Sequence, residues 1–173
     1  MSFIPSPDDC IELLEENGCS DDVILHCKAV RTVAVKIAQR ANADVKLVEA
    51  GALLHDIGRS KTHGILHGVE GAKLAKKLDL PESIVNIIER HLGAGISLEV
   101  AKQLGLPPKD YTPKTLEEKI VCHADNLIDN CQRQPIEHEI EHALSDGYKE
   151  YAERLAGLHK ELSDICGTDL NLI

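Results

Sequence analysis

"LLHDIGRSKTHGILHG", residues 53–68, is where this chain departs from an ordinary series of amphipathic helices. An apolar helical run ends at His55-Asp56, and His63 and His67 follow within a dozen residues. Solvating a surface does not call for histidine. A core does not call for it either, and a buried, unpaired carboxylate costs several kcal/mol unless it changes its protonation state. What gathers three imidazoles and a carboxylate at one corner has to be found in the rest of the sequence.

The chain has 173 residues, enough for one domain with its own core. One Phe, three Tyr and no Trp leave Leu, Ile, Val and Ala to build that core, a palette that suits helices. The net charge of −10 is unevenly spread: residues 1–80 hold 10 Lys/Arg against 12 Asp/Glu, and residues 81–173 hold 9 against 17. Such a surface repels a nucleic-acid backbone at long range, which argues against general DNA or RNA binding. A small anionic substrate remains compatible with it, provided basic groups line a local pocket.

Six cysteines, at 10, 19, 27, 122, 131 and 166, include no Cys-x-x-Cys, so zinc-ribbon and thioredoxin-like readings have no support. Cys27 and Cys122 fall inside apolar helical patterns, where a free thiol behaves as a small hydrophobe. The opening MSFIPSPDD has neither a charged n-region nor a long apolar one, and no run approaches the roughly 18 apolar residues of a membrane span. The expectation is a soluble, cytoplasmic protein in a reducing compartment, with no membrane partner.

Helix punctuation recurs along the chain. Ser6 as N-cap, Pro7 at the first helical position and Gly18 as a stop frame the first helix. From Ser20 to about Arg40, the residues Ile24, Cys27, Val30, Val33, Ala34 and Ile37 recur at helical spacing. Asp44 caps VKLVEAGALLHD, with Gly58 as its terminal glycine. Further helices are expected over about 68–78, 81–91 and 97–104. LPPKDYTPK is a loop, and Thr115 with Glu118 has capping-box spacing at the head of TLEEKIVCHADNLIDN. Residues 137–165 form a C-terminal helical segment that Asp146-Gly147 divides. Its stripe of Tyr148, Tyr151, Leu155, Leu158, Leu162 and Ile165 is read as packing on the core, with a homodimer seam as the alternative. No strand pattern stands out. The fold class is all-α, a compact helical bundle in one domain over 1–173.

Helix geometry then sorts the histidines. His26 precedes Val30, Val33 and Ile37 at steps of four, three and four, on the buried stripe. His55 follows Gly51 by four residues, and His91 follows Ile84, Ile87 and Ile88 by seven, four and three. Asp125 falls four after Val121 and three before Ile128. With His67, these side chains come from five separate helices or helix ends. Neutral imidazole and carboxylate together suit Fe, Mn, Co, Ni or Zn rather than Ca or Mg. Adjacent helical residues diverge by about 100°, so His55 and Asp56 can share an ion only at a helix end.

The ordered set of His26, His55-Asp56 extended to HDIG, and Asp125 in ADNLID resembles the HD-domain superfamily of metal-dependent phosphohydrolases, over about residues 20–130. The resemblance implies an all-helical HD-type core in which His26, His55, Asp56 and Asp125 hold one divalent transition metal. His67 in HGVEGA and His91 in RHLG match the two extra histidines of the two-metal branch. Asp56 then bridges one ion to the other and is the catalytic carboxylate. No Gly-Tyr-Pro follows His91, so cyclic-dinucleotide phosphodiesterase activity is not implied. Arg90 stands where some two-metal members carry a second His.

A divalent metal lowers the pKa of bound water from about 15.7 towards about 7, which makes hydroxide available at neutral pH. The expected reaction is hydrolysis of a phosphomonoester or phosphodiester by that hydroxide, the substrate being a nucleotide or similar small anionic molecule. Arg59 and Lys61 are the candidates to hold its phosphate, and Arg90 is a further one. His63 is read as a loop residue or as a donor behind a ligand, and His123 as facing another side of its helix. His138, His142 and His159 are read as solvated. Two alternatives stand beside the hydrolase: a di-iron HD-type oxygenase cleaving a C–C or C–P bond, and a non-catalytic metal-dependent binding module.

Overall fold

A computed structural model describes residues 3–173. Most of the helix starts expected from capping chemistry are in place. Ser6 and Asp9 exchange hydrogen bonds at the head of α1 (Pro7–Glu16), and Ser20 Oγ accepts from Val23 N at the head of α2 (Asp21–Ala41). Asp44 caps α3 (Val45–Leu54). Then follow α4 (His67–Lys77), α5 (Glu82–Glu89), α6 (Leu98–Gln103) and α7 (Leu116–Asn126). Thr115 caps α7, but the capping box is incomplete. The Glu118 carboxylate turns to Lys114 N at 2.7 Å and to Arg90 Nη1 at 2.9 Å instead of returning to Thr115 N.

Two features differ from the sequence expectation. The third helix stops at Leu54, and residues Ile57–Ser60 form a separate 3₁₀ turn, whereas the sequence pattern carries the helix on to Gly58. Gly58 is not a left-handed terminator. It is there because a Cβ would lie 1.8 Å from the His67 carbonyl oxygen and 2.6 Å from Gly71 N. The chain also makes a two-stranded antiparallel ribbon, β1 (Ile128–Asp129) and β2 (Gln132–Arg133), pairing Ile128 with Arg133. Strands of two residues are too short for apolar alternation to reveal them.

Two helices, α8 (Ile136–Ser145) and α9 (Lys149–Cys166), complete the bundle, with Gly147 at φ 84° between them and a 3₁₀ segment at Leu170–Leu172 beyond. Leu155, Leu158 and Leu162 of α9 are buried against α2 and α7, so the middle of the C-terminal stripe is core and not a free seam. Only Tyr148 and Ile165 at its ends are exposed. Among the described residues the fold is all-α apart from the ribbon, and no helix is long and apolar enough to cross a membrane.

The core has two main parts that meet along α2. Val23, Ile24 and Cys27 pack with Leu14 of α1, Leu53 and Leu54 of α3, and Ile84 and Ile88 of α5. Val30 through Ala38 pack with α7 and α9. His26 lies on α2 beside the first of these groups, one residue before Cys27. All six cysteines are free thiols, and Cys27 and Cys122 are buried as the apolar pattern requires.

Two glycine substitutions test this packing. Gly58→Ala drives a methyl into backbone and is expected to cost at least about 3 kcal/mol, the upper end of ordinary overpacking. Gly157 of α9 has nothing within 4 Å of its Cβ position, and Gly157→Ala should stabilise by about 0.5–1 kcal/mol. Urea unfolding of both variants measures the difference. Equal stabilities would refute the close approach at Gly58.

Candidate metal centre

Six side chains from five segments converge. His26 comes from the second turn of α2, His55 and Asp56 from the end of α3, and His67 from the first position of α4. His91 lies just past α5, and Asp125 is in the last turn of α7. All four imidazoles donate Nδ1–H to a main-chain carbonyl: His55 to Ala52 at 2.7 Å, His67 to Gly64 at 2.8 Å, His91 to Ile88 at 2.7 Å and His26 to Asn130 at 2.5 Å. A carbonyl can only accept, so this fixes each ring with Nε2 turned inward.

Asp56 divides the cluster. Its Oδ2 faces His55 Nε2 at 3.6 Å and His26 Nε2 at 3.8 Å, while Asp125 Oδ1 lies 2.9 Å from His26 Nε2 and 3.5 Å from His55 Nε2. Its Oδ1 faces His67 Nε2 at 3.2 Å and His91 Nε2 at 3.3 Å, and those two nitrogens are 3.0 Å apart. Donor atoms about 2.1 Å from one ion, tetrahedral or octahedral, are separated by about 3.0–3.4 Å. Both halves approximate that spacing. With every Nδ1 proton directed outward, these are acceptors facing acceptors, and His55 Nε2 and Asp56 Oδ1 are buried with no hydrogen-bond partner. Buried acceptors crowded in this way call for a cation or a proton between them. The residues fit a divalent metal.

Without metal, protons relieve the crowding. Burial opposes a charge on His55, but the Asp56 and Asp125 carboxylates outweigh it and raise its pKa well above the usual imidazole value. Burial likewise pushes Asp56 and Asp125 upward, and the neighbouring imidazoles more than reverse it, holding both below the usual carboxylate range. His91 is pushed down, chiefly by burial.

A cleft of about 670 Å³ opens onto the cluster, and Asp22, His26, Arg59, His63, Asp125 and Asn130 are among its walls. Arg59 Nε donates to Asp56 Oδ2 at 2.8 Å. Lys61, the other basic candidate, is exposed and does not line the cleft. Lys61 follows the 3₁₀ segment as its C-cap, two residues beyond Arg59. Arg90 is engaged with Glu118 and is not on the cleft wall either. His138 and His142 are exposed, but His159 is not solvated: it sits between His123 Nε2 and Asp169 Oδ1, 2.8 Å from each. His123 faces α9, away from the cluster, and is fully buried. The Asn130 carbonyl was not legible as part of the site, because a main-chain acceptor has no signature in the sequence.

An all-helical core that brings imidazoles and carboxylates from helix ends to one buried point defines a class of metal-binding helical proteins. The HD domain pattern matches residues 23–129, and the chain belongs to that family. Membership implies divalent-metal binding, and the cluster contains groups of His and Asp spaced so that they could hold an ion. The chain is 45% identical over its full length to a tRNA (cytidine(56)-2′-O)-methyltransferase of Thermoplasma volcanium, covering 51% of that protein. It is 48% identical over 155 residues to an uncharacterized protein of Methanocaldococcus jannaschii, covering 87% of each. It therefore spans about half the length of the methyltransferase and most of the second relative. Among solved structures, the HD domain of the Listeria monocytogenes phosphodiesterase PgpH, in complex with cyclic-di-AMP, superposes with a TM-score of 0.59 at 17% identity. That comparison covers 89% of this chain and 96% of the other, and it shows a shared fold.

The raised pKa of His55 has a measurable sign. The ring carries a proton at neutral pH in the metal-free protein, and coordination needs Nε2 bare. Binding of Mn(II) near pH 7 should therefore release about one proton per chain, and affinity should fall as the pH is lowered. Calorimetry in two buffers of different ionisation enthalpy reads the number. A value of zero would show that the His55 ring is already bare in the metal-free protein.

Proposed function

We propose that this chain is a metal-dependent phosphohydrolase acting on a phosphomonoester or phosphodiester, in a nucleotide or similar small anionic molecule. The observation that carries the reading is Asp56, a buried carboxylate that turns one oxygen to each of two imidazole groups at the floor of an open cleft. His26, His55, Asp56 and Asp125 would hold one ion, and His67, His91 and the second oxygen of Asp56 another. A divalent metal held there would supply a Lewis acid for phosphoryl oxygens and would lower the pKa of bound water towards neutrality.

The remaining roles fall to the chain itself. Arg59 neutralises Asp56 and stands at the cleft wall, where its guanidinium can take a phosphate oxygen in the bidentate manner suited to Arg. The exposed His63 beside it can donate to the substrate. The carbonyls behind the four rings keep Nε2 directed at the cluster and so fix which atoms remain ligands through turnover. The relative named as a tRNA methyltransferase is about twice as long as this chain, so its name does not say which activity belongs to the matched half. We assign hydrolysis to this chain on the cluster and the cleft above it.

Asp125→Ala should lose most metal from the first group, because it deletes an anionic ligand. His67→Ala should lower the content from two ions per chain towards one while the fold, followed by circular dichroism, is kept. Elemental analysis checks both, and full occupancy in either variant would overturn that residue's assignment. Turnover of a phosphate-ester panel should be unchanged without oxygen. A product formed only with iron and oxygen would move the reading to the oxygenase.

A further inference from the structure

On the side of α7 away from the cleft, three side chains form a chain of hydrogen bonds that the proposed hydrolysis does not use. His123 Nε2 lies 2.8 Å from His159 Nδ1, and His159 Nε2 lies 2.8 Å from Asp169 Oδ1. Asp169 is half exposed, His159 mostly covered and His123 fully buried. A carboxylate only accepts, so His159 gives its Nε2 proton to Asp169, and its Nδ1 receives the Nε2 proton of His123. His123 Nδ1 is then left buried with no partner. An unsatisfied ring nitrogen costs stability that an apolar side chain of similar size would not. Packing alone does not account for a histidine here.

Asp125 is two residues further along, about 200° around the helix from 3.6 residues per turn. The hydrogen-bonded chain and the metal cluster therefore grip the same turn of α7 from opposite sides. The segment that carries Asp169 reaches a second support of the first ion group as well. Leu170 O accepts from Arg133 Nη2 at 2.6 Å, and Arg133 in β2 is paired with Ile128 in β1. The turn of that ribbon carries Asn130, whose carbonyl orients His26. His67 and His91 have no such tie, since their Nδ1 partners Gly64 and Ile88 lie three residues back on their own segments.

We propose that Asp169, acting through His159 and His123, is a positioning residue for the first metal group, so that the alignment of Asp125 with His26 and His55 depends on residues 169–171. This rests on the ligand assignment above. In a His67→Ala background only the first group is left to bind, and in an Asp125→Ala background only the second. Mn(II) titrations of the full chain then separate the two. Asp169→Asn and His123→Leu should each raise the first-group Kd about tenfold, the lower end of what loss of an orienting partner costs, and leave the second unchanged. His123→Gln, which keeps a donor towards His159, should restore the affinity. His123→Leu removes the unsatisfied Nδ1 but also takes the donor from His159 Nδ1, so its melting temperature should stay close to that of the wild type. Equal weakening in both backgrounds, unchanged affinity in folded variants, or a fall in melting temperature that parallels the loss of affinity would each overturn the positioning role. A wild-type chain that binds no Mn(II) would instead overturn the metal assignment itself.

Discussion

The contact on which the site depends contains no side chain. Backbone meets backbone where the 3₁₀ turn after His55-Asp56 passes under α4, and at Gly58 even a methyl group would overlap the His67 carbonyl oxygen. Gly71 repeats the restriction from the other side: a Cβ there would lie 3.1 Å from Gly58 N and 2.8 Å from Ile88 Cγ2. This approach sets the first residue of α4 against the two residues just past α3, so that His67 reaches the oxygen of Asp56 that His26 and His55 leave free. Orienting groups placed even 1 Å too far apart lose most of their effect. Two glycines, neither of them a ligand, therefore decide whether the second group of imidazoles belongs to the site.

Helix ends solve two problems together. The last carbonyls of an α-helix have no intrahelical donor. His55 and His91 follow α3 and α5 and give their Nδ1 protons to such carbonyls, those of Ala52 and Ile88. The helix terminus is satisfied, and the imidazole is locked with its other nitrogen inward. His26, in the body of α2, has no free carbonyl nearby in its own helix. It takes that of Asn130, 104 residues away, and so depends on the β1–β2 ribbon.

Much of this arrangement was legible in the sequence, and what was not has a consistent cause. Ser6, Ser20, Asp44 and Thr115 mark their helices because capping is chemistry within four residues. The spacing of His26, His55, His91 and Asp125 against apolar neighbours places them on inward faces, and the structure brings them within contact distance of one another. The end of α3 was missed because Gly58 answers to a helix nine residues on and not to its own turn. The partners of Arg90 and His159 were not legible for a related reason. Arg90 is held by Glu118 and His159 by His123 and Asp169, partners that the fold brings to them. Local pattern reports what a residue faces. It does not report what has come to meet it.

A carboxylate that serves two ion groups counts its charge once. Under the proposed assignment, an ion bound on the Oδ2 side withdraws electron density from Asp56 that an ion on the Oδ1 side would also have used. The two binding free energies then do not add, and by linkage each ion weakens the other by the same factor. If both groups fill, a range of metal concentration would then separate the empty from the fully loaded protein, with singly loaded chains within it. Such a chain would respond to metal supply in two steps, with the half-filled state as a separate species.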